Sequence, residues 1–369
     1  MTNNGYLCSV KFETMYEYEG LHNVLYTMLY GAAAMAAIIV GLYLLLRRHN
    51  AIAPQINSPK SLRRWAAVFL FATAASHVWW TVIGTVFLAD DRLLRNIINL
   101  LLDRITFIPL MMVMLLRMLQ DRDRRIWPII IALIPLVGIA VWGIANHDGR
   151  AEMAIEYYMR CVCICFIIYY VRALWQYNRW LHNNFADLQH KEVWQSLVFI
   201  VCILLAYGAY TVGFSVSMTS EFLAQVNTFI IICFILWRVE TLQTLEIYED
   251  SKATSNIPDG IGALLKENCE DTQLYLQHDL TLQQLSLAIG TNRTYLSSYF
   301  TQQGITYNAY INRLRVEHFV HLYHEARDSD KPITAKDLAE QSGYHSYITF
   351  SSAFKKFMGM TVSEWMKKP

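Results

Sequence analysis

The chain has 369 residues, 54% hydrophobic and 17% charged, with a net charge of +1. That length holds two ordinary domains, and the neutral overall balance says nothing about partners. The seven cysteines (Cys8, Cys161, Cys163, Cys165, Cys202, Cys233 and Cys269) are an odd set without paired spacing, which excludes a disulfide framework.

Residues 1 to about 240 contain nearly all the long apolar runs, and the remainder reads as a soluble helical domain. A membrane-spanning helix needs about 20 mostly apolar residues. Seven runs meet that length: 24–46, 65–89, 93–116, 126–145, 155–175, 194–216 and 222–239. No alternating strand pattern competes, so a β-barrel is excluded. Glu13, Glu17 and Glu19 precede the first run and Arg47 and Arg48 follow it, the reverse of a secretory signal peptide. Cys161, Cys163 and Cys165 alternate along the fifth run; on a helix they point apart and cannot share a metal ion.

Loop charge sets the orientation. One side carries Arg47, Arg48, Lys60, Arg63, Arg64, Arg117, Arg122, Arg124, Arg125, Arg172, Arg179 and Lys191; the other carries Lys11, Arg92, Arg95 and Arg150. Twelve against four puts the N-terminus outside and, after seven crossings, the C-terminal domain in the cytosol. The outer loops are too short for a folded sensor domain, so an external signal would bind in the bundle or on its rim.

Polar residues interrupt the apolar runs. Asn96, Asn99 and Asp103 share one helical face, with Arg104 adjacent, His77 in the second run and Arg160 in the fifth. Ionisable groups at membrane depth face the bundle interior with partners. His77, Asn99, Asp103, Arg104 and Arg160 are therefore the candidate polar pocket, with Asp103 paired to Arg104 or Arg160; the bland alternative is an interhelical clamp or a snorkelling charge. Ala33, Ala37 and Gly41 form a small-residue stripe suited to close packing within the bundle or to a dimer. The seventh helix continues in pattern past Arg238, with Val239, Leu242 and Leu245 as a stripe for a lever or dimer contact. Residues 241–260 are a linker, polar from Asp250 and closing on Pro258 and Gly260.

The C-terminal part repeats itself. Thr281-Leu-Gln-Gln-Leu-Ser-Leu-Ala-Ile-Gly290 matches Thr334-Ala-Lys-Asp-Leu-Ala-Glu-Gln-Ser-Gly343 in length and pattern. Each opens on an N-cap threonine, completed as a capping box by Gln284 in the first copy, and closes on a glycine suited to the left-handed turn. A second helix follows each, 293–300 behind Asn292 and 347–354 behind Ser346 as N-caps. A long amphipathic helix, 307–325, joins two helix-turn-helix units in tandem.

With Asn312-Arg-Leu-Arg-Val-Glu317 and Gly343-Tyr-His-Ser-Tyr-Ile-Thr-Phe-Ser-Ser-Ala-Phe-Lys-Lys-Phe-Met-Gly-Met-Thr-Val-Ser-Glu-Trp365, residues 261–369 resemble the DNA-binding domain of the AraC/XylS family of bacterial regulators. In place of that family's common soluble sensor, the seven apolar runs resemble its membrane-tethered variants. The resemblance implies an all-α chain, a seven-transmembrane-helix bundle followed by a tandem helix-turn-helix domain, in the bacterial inner membrane. It implies that each second helix enters the major groove of double-stranded DNA. By position, Arg293, Thr294, Ser297 and Ser298 of the first unit and Tyr347, Ile348, Ser351 and Ser352 of the second would reach bases, with Lys355 and Lys356 on phosphate. Leu296, Phe300, Phe350 and Phe354 would face the core, and Arg313 and Arg315 would bridge acids inside the domain. From residue 261 on, eleven basic residues balance eleven acidic ones, so affinity per copy is modest and a homodimer on paired sites is the expectation.

No metalloprotease, phosphate-loop or nucleophile-elbow motif occurs, and the seventh run lacks a Schiff-base lysine. His318, His321 and His324 are spaced by three rather than four, a poor metal pattern. The expectation is a regulator without enzymatic activity or cofactor, coupling a small-molecule or membrane-derived signal to promoter binding. The rival reading is a transporter or channel with a regulatory helix-turn-helix domain.

Overall fold

The computed structural model describes residues 4–47, 49–88, 90–198, 218–245, 260–328 and 334–367. Among them the chain is helical, and its only extended pairing is one antiparallel bridge, Phe185 with Thr281. It divides into two compact units, Met1–Leu174 with Val193–Thr244, and Trp175–Glu192 with Leu245–Pro369.

The first unit contains α1 (Asn4–Leu46), α2 (Lys60–Val82), α3 (Arg92–Met118), α4 (Trp127–Ile131), α5 (Ile134–Asn146), most of α6 (Arg150–Asn184) and α7 (Met218–Thr241). Six helices or helix pairs among the described residues are long and apolar enough to cross a membrane. The predicted run 194–216 lies largely outside the described residues; 194–198 are helical.

Three predicted runs change shape. The run 126–145 is broken between Ile131 and Ile134, forming α4 and α5. Pro135 explains this: it has no N–H to donate to the carbonyl four residues back, and its ring clashes with that carbonyl. The run 65–89 is α-helical to Val82 and widens into a π-helical turn over Ile83–Phe87. The continuation of the seventh helix ends at Thr241, which corrects the expected lever. Val239 and Leu242 are fully buried. Beyond them the Thr244 N–H donates to Asn57 O at 2.7 Å and the Gln120 amide donates to Gln243 O at 2.8 Å, so the chain leaves the helix there.

A polar knot explains that stop. The fully buried Glu240 accepts from the Ala51 and Ile52 N–H groups at 2.9 and 2.8 Å and from the Tyr43 hydroxyl. Asn50 donates to Glu240 O at 2.9 Å and to Ile56 O at 2.7 Å, while Arg63 donates to Asn50 Oδ1 at 2.8 Å and Arg47 O at 2.7 Å. The α1–α2 loop and the end of α7 thus satisfy one another, as buried polar groups require. The small-residue stripe is used inside the bundle: Ala33 and Ala37 are fully buried, and a Cβ on Gly41 would meet the Phe71 ring at 3.0 Å. There α1 packs on α2.

The second unit contains α8 (Ile261–Leu265), α9 (Leu282–Ala288), α10 (Arg293–Gln302), α11 (Tyr307–Asp328), α12 (Ala335–Gln341), α13 (Tyr347–Met358) and α14 (Val362–Met366). It has two small cores. Leu285, Leu296, Phe300, Tyr307 and Ile311 belong to the first; Val316, Phe319, Leu338, Phe350 and Phe354 belong to the second. The joining helix α11 thus feeds one core with its first half and the other with its second. The first core also takes Ala186, from the stretch after α6, which a linear reading leaves in the membrane half.

Candidate nucleic-acid interface

Each helix-turn-helix unit is built from local signals that the structure satisfies. The Thr281 hydroxyl accepts from the Gln284 N–H while Gln284 accepts from Thr281 N–H at 2.9 Å. The second copy closes the same box with the shorter Asp337, whose carboxylate takes the Thr334 hydroxyl at 2.7 Å. Asn292 caps α10 by accepting from the Tyr295 N–H at 2.9 Å. Ser346 occupies the corresponding position before α13, but its side chain makes no capping bond, contrary to expectation. Gly290 and Gly343 take positive φ, 71° and 87°, as the turns after α9 and α12 require.

The expected core residues Leu296, Phe300, Phe350 and Phe354 are buried. On the opposite face of α10, Thr294 and Ser298 are exposed, with Arg293 and Ser297 partly so. On α13, Tyr347, Ile348, Ser352, Lys355 and Lys356 are exposed and Ser351 is half-buried; Ile348 stands out at 81%. Ile348 lies on the face of α13 opposite the packed Phe350 and Phe354 and is accessible to a partner. Lys355 and Lys356 fall in the last turn of α13, where positive charge also complements the helix dipole.

Arg315 joins the two units, though not by the expected acid partner. It is 1% exposed; its Nε donates to Tyr275 O at 2.7 Å, and Nη2 donates to Gln277 O and His278 O at 2.7 and 3.0 Å. Its guanidinium also lies 5.5 Å from the centre of the Tyr344 ring. Burial pulls its pKa below the ordinary arginine value, and these three carbonyls replace the lost water. Gly343 closes the same seam: a Cβ there would sit 2.8 Å from Leu276 O. His278 and His345 stack at 4.3 Å beside it. Arg313 stays outside, 3.8 Å from Glu317 on its own helix. The three spaced histidines separate: His318 reaches Tyr275, His321 reaches Glu325 and His324 lies against Trp365.

The polar residues of the first unit do not pair as expected. Asp103 accepts from Ser76 Oγ at 2.6 Å and from the indole N–H groups of Trp79 and Trp80 at 3.1 and 2.7 Å. Arg104 instead pairs with Glu156 at 2.5 Å, and Arg160 lies over the Tyr157 ring at 5.4 Å. His77 bridges Thr73 O at 2.8 Å and Gln225 Oε1 at 3.0 Å, joining α2 to α7. Asn99 is fully buried, and its amide has no hydrogen-bond partner among the described residues. The sequence found these residues by their cost in an apolar run but missed their partners: Glu156 carries the same signal within the run 155–175, whereas Trp79 and Gln225 carry none comparable.

A family model described as a helix-turn-helix domain matches residues 285–368. Those residues carry a helix-turn-helix domain. An uncharacterized HTH-type transcriptional regulator of Staphylococcus aureus (strain COL) is 31% identical over 98 residues, covering 26% of this chain and 12% of its own. A similarly named protein of strain MSSA476 has the same identity and coverage, and one of strain MRSA252 is 30% identical. The chain thus spans about 12% of the length of these curated relatives. No solved structure matches significantly.

Proposed function

We propose that the chain is a membrane-anchored bacterial transcription regulator, with α10 and α13 reading duplex DNA on the cytosolic side and the apolar bundle receiving a membrane-derived or small-molecule signal. The observation that carries this is the tandem of two equivalent helices, α10 and α13, each with a buried apolar face and an exposed face, across the Arg315 seam. Thr294, Ser298, Tyr347, Ile348 and Ser352 are the proposed base contacts, with Arg293, Ser297 and Ser351 at their margins; Lys355 and Lys356 are the proposed phosphate contacts. The match to a helix-turn-helix family supports the DNA partner, and six apolar helices support the anchor.

The test is genome-wide mapping of DNA bound by the full chain in cells, together with a cytosolic reporter fused after Pro369. Enrichment of discrete promoters and an active reporter are expected. A reporter active only outside the cell, or a full chain in nanodiscs that ignores duplex DNA at low salt, would overturn the reading. Transport activity lost in an Asp103→Asn variant with transcription unchanged would favour a channel or transporter instead.

A further inference from the structure

Helix α6 does not stop where an apolar span would. It runs through Arg172 and Arg179 to Asn184, about 50 Å by helical rise, well beyond the hydrocarbon thickness of a bilayer. The chain then crosses the first helix-turn-helix unit. Phe185 makes the antiparallel bridge with Thr281, and the Ala186 N–H donates to Leu280 O at 3.4 Å. The Asn308 amide donates to Phe185 O at 3.2 Å and Ala186 O at 2.6 Å; Asn312 donates to Ala186 O at 3.2 Å. Ala186 is 1% exposed within the first core. Lys191 lies 3.7 Å from Asp279, and its carbonyl accepts from the buried Tyr177 hydroxyl at 2.8 Å. At the start of the reading helix, Arg293 Nε donates to Asn184 Oδ1 at 2.8 Å.

We propose that residues 184–191 are an intramolecular clamp on the first helix-turn-helix unit, which competes with DNA for Arg293 and links α6 to DNA reading. The inference rests on the DNA-binding reading above. The bond from Arg293 Nε to the neutral Asn184 amide is a replaceable contact, because phosphate oxygens or a guanine edge accept more strongly. The backbone bridge, the Asn308 and Asn312 amides and the Lys191–Asp279 pair fasten the clamp to α11 and to the turn before α9, away from the exposed face of α10. Asn184 ends the continuous helix that begins at Arg150, so displacement of α6 is delivered to the clamp covalently. A signal acts through it by favouring one of the two clamp states, and a signal indifferent to both shifts nothing.

The test uses the full chain in lipid nanodiscs and labelled random-sequence duplex DNA at low ionic strength. Two variants open the clamp: Asn184→Ala removes the Arg293 contact, and Ala186→Asp places a charge in the first core. A clamp closed in nine molecules of ten reduces apparent affinity about tenfold, so these variants should bind DNA roughly three- to tenfold more tightly. The opposite variant, Phe185→Cys with Thr281→Cys, crosses a bridge whose Cα separation of about 4.5–5.5 Å suits a disulfide. Oxidation should weaken binding and reductant should restore it, with each single variant unaffected. This pair keeps the proposal testable if Ala186→Asp disturbs the core. Opened variants that bind no better than the unaltered chain, or a cross-link without effect, overturn the clamp. If every form ignores duplex DNA, clamp and DNA reading fall together, an outcome recognisable because no variant differs.

Discussion

Arg315 holds together what the repeat alone would leave as two separate units. Three backbone carbonyls depend on its fork of donors, and lysine can satisfy about one of them. Arg315→Lys should therefore lower the unfolding free energy of the second unit by about 2–4 kcal/mol, read by urea titration with hydrogen exchange at α13. Gly343 offers a comparison on the same seam. Alanine there meets both left-handed strain and Leu276 O at 2.8 Å, so a loss of about 3 kcal/mol is expected. Gly290 has a similar φ of 71° but open space around its Cβ position, so Gly290→Ala should cost only about 1–2 kcal/mol. Equal losses at both glycines would show that the seam is not packed as described. Both glycines were legible as turn residues; only tertiary contact separates them, because Leu276 lies far away in sequence.

Helices α10 and α13 each bury one face and expose the other, which separates stability from the proposed recognition. Phe354 is fully buried against Phe319, Phe350 and Trp365, and Phe354→Ala should cost about 3–5 kcal/mol. Ile348 sits on the same helix in water. Ile348→Ala should leave stability within about 0.5 kcal/mol while weakening binding to a mapped promoter. Lys355→Ala and Lys356→Ala should each reduce the salt dependence of DNA binding by about one counterion, largely regardless of sequence. Unchanged salt slopes would remove these lysines from the phosphate contacts. At this scale the sequence is most readable, since capping threonines, turn glycines and the apolar period lie within a few residues of what they specify. Ser346 is the exception: it stands at the N-cap position of α13, but its side chain makes no capping bond.

At the scale of the molecule, apolar runs located the helices of the first unit, and the tandem repeat located the second. Proline placement also carried the break between α4 and α5, although hydropathy alone reads straight through it. What the sequence did not determine is which distant groups satisfy the polar ones. Glu240 receives the N–H groups of Ala51 and Ile52, and Glu240→Ala should destabilise the first unit by about 1.5–3 kcal/mol in thermal unfolding, because these part-buried donors lose a charged acceptor. Asp103 turns to two tryptophans rather than to an arginine, and Ala186 leaves the membrane half of the sequence to enter the first helix-turn-helix core. Periodicity and capping state which face of a helix is buried and where it begins, because those are properties of neighbouring residues. The partner of a buried face or charge is chosen only when separate elements meet, and that choice belongs to the tertiary structure.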